Sequence, residues 1–328
     1  MKLATLKNGD LDGRLIVVST DLRTAVDASP IAPTLLQALQ QWHEVEAPLN
    51  TLYQQLNRGE LSNAFAFDPG QCGAPLPRSP QWLDASAFLN HGHLMERAFN
   101  TDPIPDFDTI PVMYQGASDD FYGPHDDIPM PSELDGIDFE GEFGVVLDSV
   151  PMSVTPEQAL DRVRLLVQIN DWSLRALGPR EMKTGFGFLQ AKPSSSFAPV
   201  AVTPDELGDA WADGRVKMSL HLEWNGERFG SPHGQEMGFS FGELIAHAAR
   251  TRKLSAGTVL GSGTVSNESR AAGSACIAER RVIEKLDLGE IRTGFMKFGD
   301  SVRMQAKFDD GRDGPFGVIN QRVVKANG

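Results

Sequence analysis

The stretch DFEGEFGVVLD, Asp138 to Asp148, constrains this chain more than any other. Phe143 to Leu147 form an unbroken apolar run of strand length, and Glu140 and Glu142 stand just ahead of it. Residues i and i+2 of a strand point to the same face. The strand therefore carries two carboxylates, side by side, toward a buried region. Like charges that close repel unless something positive lies between them. A hard divalent cation meets that need, because Mg²⁺ and Ca²⁺ take oxygen ligands. A nearby arginine such as Arg175 meets it equally well, and the spacing does not choose.

Other groups join this argument. Asp171 closes the apolar run LLVQIND, and Asp84 lies in WLDASAFLNH. Taken singly, an acid at a strand end is ordinary turn chemistry. Of the seven histidines, His43 and His247 fall on expected helices, and His221 on the polar face of an alternating strand. His91 follows Asp84 by seven residues, beside Ser86 and Asn90. If Asp84 binds a metal, His91 lies near whatever that metal holds. The turn GTVLGSGTVSN, 257–267, offers backbone N–H groups to an anion. No GK[ST] follows it, which excludes a phosphate P-loop.

The net charge of −14 argues against nucleic acid or an anionic membrane as partner, since both require a basic face. No apolar run is long enough to span a bilayer. MKLATLKNGDLDG lacks the apolar core of a signal peptide, so a cytoplasmic protein is expected. Cys72 and Cys276 then read as reduced thiols, and the absence of CxxC and HExxH spacing argues against zinc.

KLATL and RLIVVS predict a hairpin around KNGDLDG. Apolar residues at helical spacing from Leu35 to Leu56 predict a helix, kinked or split at Pro48 and stopped at Gly59. The segment 68–82, with four prolines and two glycines, is the best linker, and divides the chain into 1–75 and 76–328. Beyond it, Thr155 with Gln158 and Ser240 with Glu243 form capping boxes, and Thr203-Pro204 opens a short helix. VKMSLHLEWNGERF predicts a hairpin turning at Asn225-Gly226. The tail predicts two more strands. Residues 115–135, rich in Asp, Gly and Pro, are expected to form the mobile cover of the site. No GxGxxG follows a strand, which removes a dinucleotide fold. The expectation is an α+β protein: a β-rich C-terminal domain of 76–328 with a small N-terminal α+β domain.

DASAFLNH (84–91), MYQGASDDF (113–121), DFEGEFGVVLD (138–148), INDWSLR (169–175), FLQAKPSSS (188–196), GSGTVSN (261–267) and FGDSVR (298–303) occur in an order that resembles the fumarylacetoacetate hydrolase family, especially its bacterial members. The likeness is strongest from Trp82 to Val323 and weak in the first 75 residues. It implies a mixed β-roll or sandwich fold and a divalent metal, Mg²⁺ or Ca²⁺ with Mn²⁺ also accepted, on Asp84, Glu140, Glu142 and Asp171. It implies His91 as the base that activates water, oriented by Glu279, with Glu268 and Glu284 as the other glutamates to consider. Lys192 and Arg175 become the catalytic cations, and Tyr114, Gly263 and Thr264 substrate contacts. The implied reaction is hydrolysis of a C–C bond in a 1,3-diketone acid: fumarylacetoacetate to fumarate and acetoacetate, in tyrosine and other aromatic catabolism. A 2-oxo acid hydratase, a decarboxylase or an acylpyruvate hydrolase is the alternative on this scaffold. The family also implies a homodimer whose partner is a small diketo or 2-oxo acid. Two positions depart from the animal enzymes. Gly178 stands where they carry a glutamine, and Asn100, with Arg97 nearby, where they carry an arginine. These departures bear on the substrate more than on the reaction.

Overall fold

The computed structural model describes residues 1–99 and 103–327. Its centre is an 11-stranded sheet. Along the sheet the strands run Phe65–Ala66, Thr24–Asp27, Arg14–Val18, Lys2–Leu6, Ala201–Val202, Val163–Asn170, Gly141–Leu147, Val259–Gly261, Trp82–Ala85 and Met113–Gly116, with Ser196–Phe197 pairing off Val163–Asn170. Neighbours are antiparallel except Val259–Gly261 and Trp82–Ala85, which run parallel. A second sheet runs Glu227–Gly230, Ser219–Trp224, Ser301–Lys307, Asp313–Lys325 and Ile128–Met130.

The apolar run at 143–147 is unbroken because both faces of its strand are covered. Phe143, Val145 and Leu147 pack toward the second sheet with Leu220, Met304 and Phe316. Val146 points the other way, into a cluster with Leu35, Leu39, Trp42, Val45 and Leu49 from the helices Leu35–Gln40 and Trp42–Asn57. The molecule is thus helices, sheet and sheet in three layers. Gln168 pins the sheets together: its side-chain amide donates to Met304 O at 3.1 Å and accepts from Ala306 N at 2.8 Å.

The hairpins, both capping boxes and the tail strands stand where the sequence places them. Asn225 and Gly226 both take positive φ, the turn that matches strand twist. Three expectations are corrected. The helical segment is split at Gln41 rather than Pro48, which lies inside the continuous helix Trp42–Asn57. Pro48 is exposed, so water can take up the carbonyl that its missing N–H leaves free. The helix after Thr203 is a 3-10 helix, Pro204–Ala210, and Thr203 makes no side-chain cap because its hydroxyl meets the Met1 amino group. Residues 115–135 are tied down: Phe121, Ile128 and Met130 are buried, and Tyr122 exchanges backbone bonds with Ser195 and Phe197. The polar composition of that stretch concealed its apolar anchors.

The proline-rich segment is no free tether. Residues 72–76 are buried, Gly73 N donates to Thr5 O of the first strand, and Gln71 O accepts from Lys7 N just past its end. Lys2–Leu6 pairs with Ala201–Val202, so one sheet runs through both halves of the chain.

Candidate active site

Register brings the acids together. Ile169 stands opposite Glu142, and Asn170 opposite Gly141, so Asp171 emerges beside the head of the glutamate strand. On its other side, Gly261 is level with both Gly144 and Asp84. A side chain on Gly261 would put its Cβ 2.7 Å from Asp84 Oδ1 and 2.9 Å from Glu142 Oε2. The missing side chain is the room in which those carboxylates meet. Asp84, Glu140, Glu142 and Asp171 are all buried, and each offers an oxygen within 4.8 Å of the others.

The question of what neutralises this cluster has a divided answer. Glu140 is held by two cations, Arg175 and Lys192, the latter with Nζ 2.9 Å from Oε2. Burial alone would push its carboxyl up, but those two charges, with a contribution from His91, hold it well below the usual range. Lys192 Nζ also stands 2.5 Å from Asp171 Oδ2. Its ammonium is kept charged, against its burial, by Asp171 and Glu140. Asp84 and Glu142 have no such partner. Burial and the charge of Asp171 push the Asp84 carboxyl up to about 8. Burial and Asp84 drive Glu142 well above its ordinary value, and Glu142 Oε1 is buried without a hydrogen bond. Four carboxylates face two cations, and Arg175 is shared with Asp138. A divalent cation is the group this remainder fits: the donors are all oxygen, hard and close enough to share one ion.

Smaller groups fix these oxygens. Gly263 N donates to Asp84 Oδ1 at 3.2 Å and to Glu142 Oε2 at 3.1 Å. Its φ of +79° lies in the left-handed region that favours glycine. Tyr114 donates its hydroxyl to Asp171 Oδ2 at 2.7 Å, Ser195 donates to Asp171 Oδ1 at 2.6 Å, and Ser173 to Glu140 Oε1 at 3.1 Å. Tyr114, expected as a substrate contact, thus spends its hydroxyl on an acid of the cluster. Thr264 is buried one residue past Gly263.

His91 sits in the first turn of the helix Leu89–Phe99. Its Nδ1 lies 2.8 Å from Glu279 Oε2, from the helix Ile277–Leu288. A carboxylate accepts, so Nδ1 carries the hydrogen and Nε2 of the neutral ring has a free lone pair. The pairing singles out Glu279 among the three glutamates. Glu268 is exposed, and Glu284 is engaged by Arg292 and Thr293. Arg97 is exposed, and Asn100 lies outside the described residues. Gly178 opens the helix Gly178–Thr184, and the segment after that helix passes near the cluster: Phe188 meets the Tyr114 ring edge-on at 5.1 Å.

Sequence reasoning missed Asp138, Ser173, Ser195 and Gly261. Asp138 was open to view, since it precedes Glu140 and Glu142 with the same i, i+2 spacing. The serines carried no signal of their own.

The family described as fumarylacetoacetate (FAA) hydrolase C-terminal matches residues 82–324, and that described as fumarylacetoacetase N-terminal domain 2 matches residues 1–78. The first 78 residues therefore match a family more clearly than their sequence motifs suggest. Among curated proteins, 2,4-didehydro-3-deoxy-L-rhamnonate hydrolase from Sphingomonas sp. (strain SKA58) is 31% identical over 165 residues, which cover 49% of this chain and 54% of that one. The chain thus spans about half the length of the curated relatives it matches. Among solved structures, fumarylacetoacetate hydrolase from Exiguobacterium antarcticum superposes with a TM-score of 0.67 at 20% identity, over 99% of this chain and 100% of that one. Maleylpyruvate hydrolase from Sphingobium sp. SYK-6, in complex with manganese(II) ion and pyruvate, superposes with a TM-score of 0.66 at 16% identity, over 100% of both chains. At these identities the two structures show the fold.

Proposed function

This chain belongs to the fumarylacetoacetate hydrolase family, and we propose from that premise that it is a metal-dependent hydrolase cleaving a carbon–carbon bond in a 1,3-diketo acid. The observation that carries the reading is the His91–Glu279 pair, built beside an acidic cluster that its own cations leave part-neutralised. Asp84, Glu140, Glu142 and Asp171 would hold the ion. When bound there, a divalent ion would supply Lewis-acid chemistry to a substrate carbonyl.

The chain's own residues do the rest. Glu279 keeps the hydrogen on His91 Nδ1, and Nε2 takes a proton from water as the water oxygen attacks the substrate carbonyl. Lys192 has three N–H donors and gives two to Glu140 and Asp171, so the third is left for the oxyanion. The bond between the attacked carbon and its neighbour then breaks. Its electron pair becomes an enolate, and the proton held by His91 returns to that carbon. The products are two carboxylic acids. Fumarylacetoacetate is the first substrate we assign, and acylpyruvates are the next class, in keeping with the maleylpyruvate hydrolase among the structural relatives.

The test is loss of fumarylacetoacetate ultraviolet absorbance, with EDTA and then with Mg²⁺, Ca²⁺ or Mn²⁺ restored. Loss that depends on metal supports the reading. Absence of loss with metal present sinks this substrate and moves the test to acylpyruvates. Carbon dioxide or a hydroxy-keto acid as product would mark a decarboxylase or hydratase instead. A homodimer is part of the proposal, read by light scattering. No helix among the described residues is long and apolar enough to cross a membrane. A cytoplasmic location is a separate part of the proposal.

A further inference from the structure

We propose that Asp138 is a positioning residue, setting the His91–Glu279 pair in place relative to the acidic cluster. The inference rests on the reading of His91 given above. Asp138 is completely buried at the bridge between two parts of the site. Its Oδ1 accepts from Ile277 N at 2.7 Å. Its Oδ2 accepts from Ala278 N at 2.9 Å and from Arg175 Nε at 2.8 Å. Ile277 and Ala278 open the helix Ile277–Leu288, whose third residue is Glu279. The first N–H groups of a helix have no partner within it, and the positive end of the helix favours a carboxylate there. Asp138 supplies that carboxylate from a different strand. The guanidinium it holds reaches on to Glu140.

One buried carboxylate thus ties down both the turn that presents Glu279 and the arginine that steadies Glu140. An asparagine has the same shape but one acceptor oxygen. Its NH₂ would face either the Ile277 N–H or both the Ala278 N–H and the Arg175 guanidinium, so in each placement the helix start must shift. Because Glu279 holds the His91 ring at 2.8 Å, a shift of the helix start is a shift of the base.

The test compares Asp138→Asn, Glu279→Gln and the double variant. Near-UV circular dichroism first establishes folding. Asp138→Asn should lower kcat roughly 10- to 100-fold, as loss of an outer hydrogen bond to a reacting group does. On the Glu279→Gln background it should add less than about threefold, since residues acting as a unit are not additive. The ¹⁵N imidazole resonances of His91, assigned by their loss in His91→Ala, should move toward those of Glu279→Gln. A folded Asp138→Asn with wild-type His91 resonances would overturn the proposal, as would an effect that multiplies in full on Glu279→Gln. If Asp138→Asn does not fold, Ile277→Pro removes one of the same bonds at the first helical position, where proline breaks no helical bond. It should move the His91 resonances in the same direction, and unchanged resonances would overturn the proposal equally. The spectroscopic measurement needs no substrate, so a wild-type enzyme that cleaves no diketone defeats the proposed function and leaves this test standing.

Discussion

His91 Nδ1 and Glu279 Oε2 stand 2.8 Å apart, although 188 residues separate them in the chain. Each comes from the first turn of its own helix, Leu89–Phe99 and Ile277–Leu288. Two helix starts facing each other hold a base and its orienting acid on regular backbone. His91→Ala should lower kcat by about 10²- to 10⁴-fold, the range for a general base. The side chain is part-exposed and makes this one bond, so the melting temperature should stay close to that of wild type. Glu279→Gln keeps the shape and should lower kcat by a smaller factor. Turnover of His91→Ala at the wild-type rate would remove the role assigned to it.

Removing metal and removing a ligand should act on stability in opposite directions. Burial and Asp84 oppose the charge on Glu142, and its Oε1 finds no donor. A neutral glutamine there relieves repulsion in the metal-free protein while Gly263 N keeps its acceptor. Glu142→Gln should therefore raise the melting temperature of the EDTA-treated protein by about 2 °C. It should weaken Mn²⁺ binding about tenfold or more in a titration. A metal-free variant that melts below wild type would show that the cluster is not under charge strain.

A second carboxylate tests electrostatics away from the site. Asp148 Oδ2 accepts from Arg164 at 2.6 Å, and Asp148 Oδ1 accepts from Ser149 N at 2.6 Å. Burial works against its charge, but the bonds from Arg164 and Ser149 hold the carboxyl below its ordinary value of 3.8. A depressed carboxyl contributes stability above its unfolded value, and that contribution is lost as pH falls through the folded value. Asp148→Asn should cost about 1.5 kcal/mol at pH 7. In urea titrations the gap between the two proteins should be constant from roughly pH 5 to 8 and close below roughly pH 4. A gap that widens in acid would reverse the sign of the argument.

Glu140 and Glu142 were legible in the sequence because strand periodicity is local, and so were the hairpins and caps, whose signals span four to eighteen residues. The neutralising charge was not, because spacing weighed a metal against Arg175. The structure places Arg175 and Lys192 on Glu140 and neither on Glu142. That choice depends on how strands far apart in sequence line up. The buried anchors of 115–135, Phe121, Ile128 and Met130, were equally hidden, since they sit in a polar stretch. Asp171 and Asp84 were each readable as turn acids. The register of Ile169 opposite Glu142 makes Asp171 a neighbour of the glutamates, and the register that sets Gly261 between Asp84 and Gly144 does the same for Asp84.

The turn at Gly263 joins these levels, and one methyl group tests it. Its φ is +79°, and an added Cβ would lie 2.1 Å from the carbonyl oxygen of Ala85, a backbone atom with no freedom to yield. Gly263→Ala must therefore move the turn or the end of the strand Trp82–Ala85. Either movement pulls Gly263 N away from Asp84 and Glu142, which it bonds at 3.2 and 3.1 Å. Among the described residues those two acids have no salt-bridge partner, and Gly263 N is the backbone donor they share. Their separation should widen, and an ion that needs all four oxygens should bind more weakly. Mn²⁺ affinity should fall roughly tenfold. The melting temperature should drop by about 3 °C, from the strain of a left-handed alanine and the displaced strand end. His91 and Glu279 lie on other elements, so their ¹⁵N imidazole signature should survive. A variant that loses the His91 signature but keeps Mn²⁺ affinity would place the turn in the base's environment rather than the cluster's.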